Sequence, residues 1–191
     1  MPYIDQAEEI DLQDQSRFFV VTGGPGSGKS TLIEALKACG LRTMPEAGRA
    51  VIQDQVTIGG SALPWDDRLG FAELMLGWEL RSHREARDHV GVVLFDRGIP
   101  DLLGYLTLCG LPVPPHVQQA AHTFRYNRRV FIAPPWPEIF GQDAERKQSP
   151  EEAQATYKAM VDAYTGYGYE LIHLPKSPVE DRVRFVLAEL G

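Results

Sequence analysis

The sequence predicts an α/β protein in three layers, a five-stranded parallel sheet with helices on both faces, and three observations carry that prediction. Short apolar runs rich in aromatic and β-branched residues recur at 17–22, 41–44, 92–95, 129–133 and 169–174. Helical sequence separates each run from the next, which implies crossover connections and a sheet covered on both sides. A glycine-rich stretch, Gly23 to Gly28, joins the first run directly to a helix.

The elements follow in order. At 191 residues the chain suits one core, and residues 1–15, polar and acidic with little periodicity, are expected as a tail ahead of a single domain over 16–191. Arg17 to Thr22 (RFFVVT) is a continuous apolar run and reads as a buried strand. After the glycines, Leu32, Ala35, Leu36 and Cys39 keep helical spacing, and Gly40 closes the helix. Leu41 to Met44 is a second strand, followed by a helix starting near Glu46. Gly59, Gly60, Pro64 and Trp65 mark a loop before a long helix over Asp67 to His89. Val92 to Phe95 is a strand that stops at Asp96, Arg97 and Gly98. Helical sequence resumes near Asp101, breaks at Pro112, Pro114 and Pro115, and resumes again before the strand Arg129 to Ala133. Ser149-Pro150-Glu151-Glu152 and Ser177-Pro178-Val179-Glu180 each place Ser, Pro and Glu where a capped helix start wants them. The first opens a helix with Tyr157, Met160, Val161 and Tyr164 on one face; the second opens a terminal helix striped by Val179, Val183, Val186, Leu187 and Leu190. Tyr169 to Leu174 is the last strand.

Charge and cysteine usage narrow the function classes. With 19 Lys and Arg against 26 Asp and Glu the net charge is −7, which argues against a nucleic-acid coat. Cys39 and Cys109 lack metal-ligand spacing, and the five histidines show no paired spacing. No apolar run reaches the roughly 20 residues that cross a bilayer, and the first residues lack the pattern of a secretory signal. A cytoplasmic protein with neither nucleic acid nor membrane as partner is expected.

Gly23-Gly24-Pro25-Gly26-Ser27-Gly28-Lys29-Ser30 matches the Walker A pattern G-x-x-x-x-G-K-[ST], with Thr31 behind it. The match has its required context, since it follows a buried strand and opens a helix. Glycines there turn backbone N–H groups onto a β-phosphate, and the helix N-terminus adds its positive dipole end. Lys29 is placed for the β- and γ-phosphates and the Ser30 hydroxyl for Mg²⁺. Asp96, at the end of GVVLF, takes the Walker B role of holding the metal; a strand-end Asp can equally cap the next helix. A nucleoside triphosphate, ATP with GTP left open, and Mg²⁺ are therefore the expected ligands.

The chain has no Asn-Lys-x-Asp guanine-reading motif and no LSGGQ-like signature, and Arg97 follows Asp96 where motor ATPases carry Glu. A small-kinase layout remains. With GGPGSGKST, MPEAGR and FDRGIPD in these places, residues 17–190 resemble the AAA-domain family of small P-loop proteins related to nicotinamide riboside kinase and, more distantly, to deoxynucleoside and thymidylate kinases. The resemblance implies a P-loop NTPase fold and phosphoryl transfer to a small metabolite. It implies that Glu46 matches the acid that deprotonates the acceptor hydroxyl, although dipole stabilisation of a first-turn Glu accounts for the same residue. Arg49 and Arg97 suit phosphate oxygens through their planar forks of donors. A lid over about 134–150 would bring Arg146 to the transferring group, and Arg128 and Arg129 serve either the phosphates or the surface. The acceptor is expected between residues 60–85 and the Asp96-Arg97-Gly98 turn, near Trp65, Phe71, Trp78 and Arg81, most of which also read as core. Asp101 reads as a helix cap, and the purine is expected against the backbone near Leu174 to Lys176. The competing class is a nucleotide-dependent regulatory ATPase or GTPase that signals to a protein partner.

Overall fold

The computed structural model describes residues 16–142 and 149–191. Five parallel strands, β1 (Phe18–Gly23), β2 (Arg42–Met44), β3 (Val93–Asp96), β4 (Arg129–Ala133) and β5 (Glu170–His173), form one sheet in the order β2-β3-β1-β4-β5. The central strand β1 pairs Phe18 with Val93 on one side and Val21 with Phe131 on the other. Strand order reverses beside β1, and in such open sheets ligands collect at the carboxyl ends of the strands.

Alternation along the strands divides the core into two layers. Phe18, Val20, Val93, Phe95 and Val130 face one way, where they meet α2 (Ala47–Ile58), α3 (Arg68–Ala86), α4 (Ile99–Leu108), α5 (Pro115–Thr123) and α6 (Pro150–Gly166). Phe19, Val21, Leu94 and Phe131 face the other way, onto α1 (Lys29–Ala38) and α7 (Val179–Leu190). Every residue of β1 is buried, as a strand covered on both faces requires. The edge strand β5 is only half covered.

Helix ends follow their local chemistry. The Ser149 hydroxyl accepts the Glu152 N–H and the Glu152 carboxylate accepts the Ser149 N–H, so the first expected capping box forms. The second does not. Pro178 is the N-cap of α7, because its carbonyl accepts the Arg182 N–H at 3.2 Å, and the Ser177 hydroxyl is buried without a partner. The helix therefore starts one residue later, and Phe185 packs with Val183 and Leu190 while Leu187 stands 40% exposed. Arg129 is at the amino end of β4, where it donates to the Glu189 carbonyl at 2.7 Å and pins α7, far along the strand from Ala133 beside the glycine loop. A surface role, not a phosphate role, fits that place. Among the described residues no helix is long and apolar enough to cross a membrane.

Candidate active site

The glycine loop runs from the carboxyl end of β1 into α1 as a cradle of backbone amides. Gly23 adopts φ 141°, and a Cβ there would lie 2.6 Å from the Ala133 carbonyl oxygen, so only glycine lets β1 approach β4 this closely. Gly28, the N-cap of α1, is left-handed at φ 70°, and a Cβ there would lie 2.7 Å from the Arg182 guanidinium. That guanidinium donates to the Gly28 carbonyl at 3.1 Å, so the terminal helix buttresses the loop. The Ser27 hydroxyl closes the turn on the Gly24 carbonyl at 2.8 Å. Among the described residues no backbone acceptor is seated on the amides of Gly26 to Ser30. Five such N–H groups at a helix N-terminus form a nest for phosphate oxygens.

Lys29 is 5% exposed and ion-paired with Asp96. The exposed Ser30 supplies an alcohol and Asp96 a carboxylate at the same end of the sheet. One carboxylate and one hydroxyl suit Mg²⁺, which takes its remaining ligands from phosphate oxygens and water. No group of three or more His, Cys, Asp or Glu with metal-site geometry occurs among the described residues.

Beside the cradle lies a network of three charged side chains, Arg97, Glu46 and Asp101. Arg97 has φ 76°, the one left-handed non-glycine residue among those described, at a turn fixed by its N–H on the Val21 carbonyl at 3.0 Å. A non-glycine side chain held there costs on the order of 1 kcal/mol and marks sites that surrounding structure over-determines. Its Nε donates to Glu46 Oε1 at 3.0 Å and its Nη1 to Asp101 Oδ1 at 2.9 Å. Asp101 caps α4, as its sequence position suggests, by accepting the Gly98 N–H at 3.1 Å. It also accepts Thr22 Oγ1 at 2.6 Å and Tyr164 Oη at 2.5 Å, so one buried carboxylate ties β1, α6 and the turn together. Burial would raise the Glu46 pKa, but Arg97, Lys29 and Arg49 outweigh it and lower the carboxyl to about 2. Burial would lower Arg97, and Glu46, Asp101 and Asp96 instead raise it above its ordinary value.

A cavity of about 800 Å³ opens between this network and the helices α2, α3, α4 and α6. Ligand pockets span roughly 300 to 1,000 Å³, so it has room for a nucleoside-sized molecule. Pro25 of the loop, Glu46, Arg49 and Arg97 form its charged side. Trp65, Phe71, Met75, Tyr105 and Met160 form its apolar walls, and Glu79 and Asp101 sit among them.

The structure thus brings together Lys29, Glu46, Asp96 and Arg97 with the loop Gly23 to Ser30; Thr31 is exposed on the first turn of α1. Arg49 stands 3.6 Å from Glu46 and half exposed, at the cavity wall. Arg146 lies outside the described residues, as do positions 143–148 of the expected lid; its first part holds a short 3-10 helix, Pro137–Gln142. Trp78 and Arg81 do not reach the cavity: Trp78 packs on the core, and Arg81 lies 5.8 Å from its ring and pairs with Glu85. Glu79 and Tyr105 carry no sequence signal that separates them from ordinary helix residues. Helical spacing from Phe71 and Met75 does reach Glu79, and it was the available clue.

A parallel sheet in this order, with a glycine loop between its central strand and the first helix, defines a P-loop NTPase fold. A family model described as an AAA domain matches residues 18–182, and the chain belongs to that family. No curated protein matches the chain. Among solved structures, the deoxyadenosine kinase of M. mycoides with the products dCMP and a flexible dCDP bound superposes with a TM-score of 0.63 at 13% identity, covering 91% of this chain and 98% of that one. The same kinase with dATP bound gives 0.60 at 12% identity with the same coverage. The likeness establishes the fold.

Proposed function

We propose that the protein is a magnesium-dependent phosphotransferase that moves the γ-phosphoryl group of ATP onto a hydroxyl of a nucleoside-sized acceptor. The cavity beside the cradle carries this reading, because Pro25, Glu46 and Arg97 line a space large enough for a second substrate next to the phosphate nest. A hydrolytic switch needs only water there. The fold of a deoxyadenosine kinase is consistent with the same division of labour.

In this reading the loop amides and Lys29 hold the β- and γ-phosphates, and Ser30 and Asp96 would hold the metal. When bound, Mg²⁺ supplies positive charge to the β- and γ-oxygens. The acceptor oxygen bonds to the γ-phosphorus as the bond to the ADP oxygen breaks, and the hydroxyl proton passes to Glu46. A carboxylate with a pKa of about 2 is a weak base. It suits a loose transition state, in which the attacking oxygen keeps its proton until late and early orientation matters more than basicity. Arg97 fixes Glu46, and Asp101 fixes Arg97.

Purified protein incubated with γ-labelled ATP, Mg²⁺ and a pool of nucleosides tests the proposal. Label appearing in a small organic phosphate is the expected result. Label recovered only as inorganic phosphate, at a rate that no acceptor changes, contradicts it.

A further inference from the structure

Among the described residues Glu79 is the one buried acid of the cavity wall that the mechanism does not use; Glu152, also on the wall, is exposed and occupied in the Ser149 capping box. It sits on α3, is 3% exposed, and lines the cavity, yet no described residue hydrogen-bonds to its carboxyl. An acid that lines a cavity without a protein partner keeps its hydrogen-bonding capacity for whatever fills that space. Charged and titratable groups face it from each neighbouring element: Glu46 ahead of α2, Asp96 and Arg97 at the end of β3, Asp101 on α4, and Tyr126 ahead of β4. Arg97, the single cation among them, is already held by Glu46 and Asp101. Burial, followed by Asp101, Asp96 and Glu46, pushes the Glu79 carboxyl well above the usual carboxylate range.

We infer that Glu79 is the specificity-determining residue of the acceptor site, its carboxyl meeting an unphosphorylated substrate whose planar ring carries an adjacent hydrogen-bond donor and acceptor. The inference rests on the phosphotransferase reading for the identity of the second substrate. A neutral carboxylic acid offers one O–H donor beside one carbonyl acceptor, the complement of an amide, amidine or aminopyrimidine edge. Phe71 and Tyr105, 5.6 Å apart at 71°, give that ring an aromatic corner to pack against. Charge argues for the absence of phosphate on the acceptor. Among the described residues the carboxylates Glu46, Asp101 and Glu152 line the cavity with Arg49 and Arg97, both of which already face Glu46, and an added phosphate would sit among carboxylates.

The test compares wild type with Glu79→Leu and Glu79→Gln on the four common nucleosides, their 5′-monophosphates and purine riboside, which lacks the exocyclic amino group of adenosine. Nucleosides, not monophosphates, should be phosphorylated by the wild type. Glu79→Leu should raise KM for the preferred nucleoside by about tenfold to a hundredfold, change kcat much less, and erase the preference over the edge-lacking analogue, as loss of ground-state recognition requires. Glu79→Gln keeps one donor and one acceptor and should recover most of the loss. Unchanged ATP affinity in both variants shows that the fold is intact. Preference for monophosphates, an unchanged KM in Glu79→Leu, or equal impairment in Glu79→Gln would overturn the inference while leaving phosphoryl transfer standing. Should no nucleoside accept label, thermal shift separates the two ideas: nucleosides that raise Tm in wild type and Glu79→Gln but not in Glu79→Leu uphold the role of Glu79 without the kinase reaction. No shift in any of the three proteins overturns both.

Discussion

The glycine-loop cradle and the cavity beside it adjoin each other but are built in opposite ways. The cradle is backbone, eight consecutive residues from Gly23 to Ser30, with a single buried cation. The cavity is side chains, drawn from the loop after β2, from α2, α3, α4 and α6, and from the turn after β3. Backbone recognition needs glycine at set intervals along one continuous loop, so it leaves a contiguous mark in sequence. Side-chain recognition can be re-specified one wall at a time. Asp101 links the two, since it holds Thr22 of β1 at 2.6 Å and Arg97 of the cavity at 2.9 Å.

Substitutions sort by the side of this divide they strike. The largest effect is expected for Lys29→Met, which removes the buried cation from the transferring phosphates and should cut kcat by about a thousandfold, read by steady-state turnover. Circular dichroism should show the fold retained. Glu46→Gln strikes the cavity side alone: kcat should fall by about a hundredfold or more with ATP affinity unchanged by calorimetry. If ATP affinity fell with it, Glu46 would belong to the cradle. Asp101→Asn should fall between the two regions, lowering kcat by about tenfold by loosening Arg97 and also lowering Tm, since Asp101 holds Tyr164 and Thr22. Arg81→Ala, on the outer face of α3, should change Tm and turnover within error, because its ion pair with Glu85 is exposed.

Acidity separates two cavity carboxyls. Glu46 is depressed from 4.5 to about 2, so its pairing stabilises the fold fully above pH 4.5 and that contribution is lost as pH falls toward 2. Glu79 is raised, so the unfolded chain releases its proton above pH 4.5 while the folded chain keeps it. Stability should therefore decline as pH rises from 4.5 toward the folded pKa of Glu79. Urea unfolding at a series of pH values should show this decline weakened most in Glu79→Gln and only slightly in Glu46→Gln, which removes the smallest of the carboxylate charges that raise Glu79.

Legibility in sequence followed the same divide. All five strands and the layer order came from apolar runs and spacing, most plainly for β1, β3 and β4, because strands buried on both faces have little choice of residue. Lys29 was readable from the glycine motif that precedes it, and Asp96 and Arg97 because they stand at the end of β3, where the fold itself fixes direction. Glu79 was not, since a Glu within a long helix ordinarily faces water, and only the packing of α3 against α4 and β3 puts it inside. Trp78 and Arg81 misled for the converse reason: their sequence neighbourhood is aromatic and basic, but helix phase turns them from the cavity. Ser177-Pro178 has every residue of a capped start, yet the first hydrogen bond of α7 is accepted by Pro178. A pattern names the candidates for a cap, and tertiary packing chooses among them.

The central claim, that cradle and cavity act together on two substrates, is tested most directly by stoichiometry under single turnover. With enzyme in excess over γ-labelled ATP and a saturating nucleoside acceptor, the account predicts one phosphorylated acceptor for each ADP formed, with ADP formation strongly slowed when the acceptor is withheld. ADP and inorganic phosphate appearing together at the same rate with or without acceptor would contradict it.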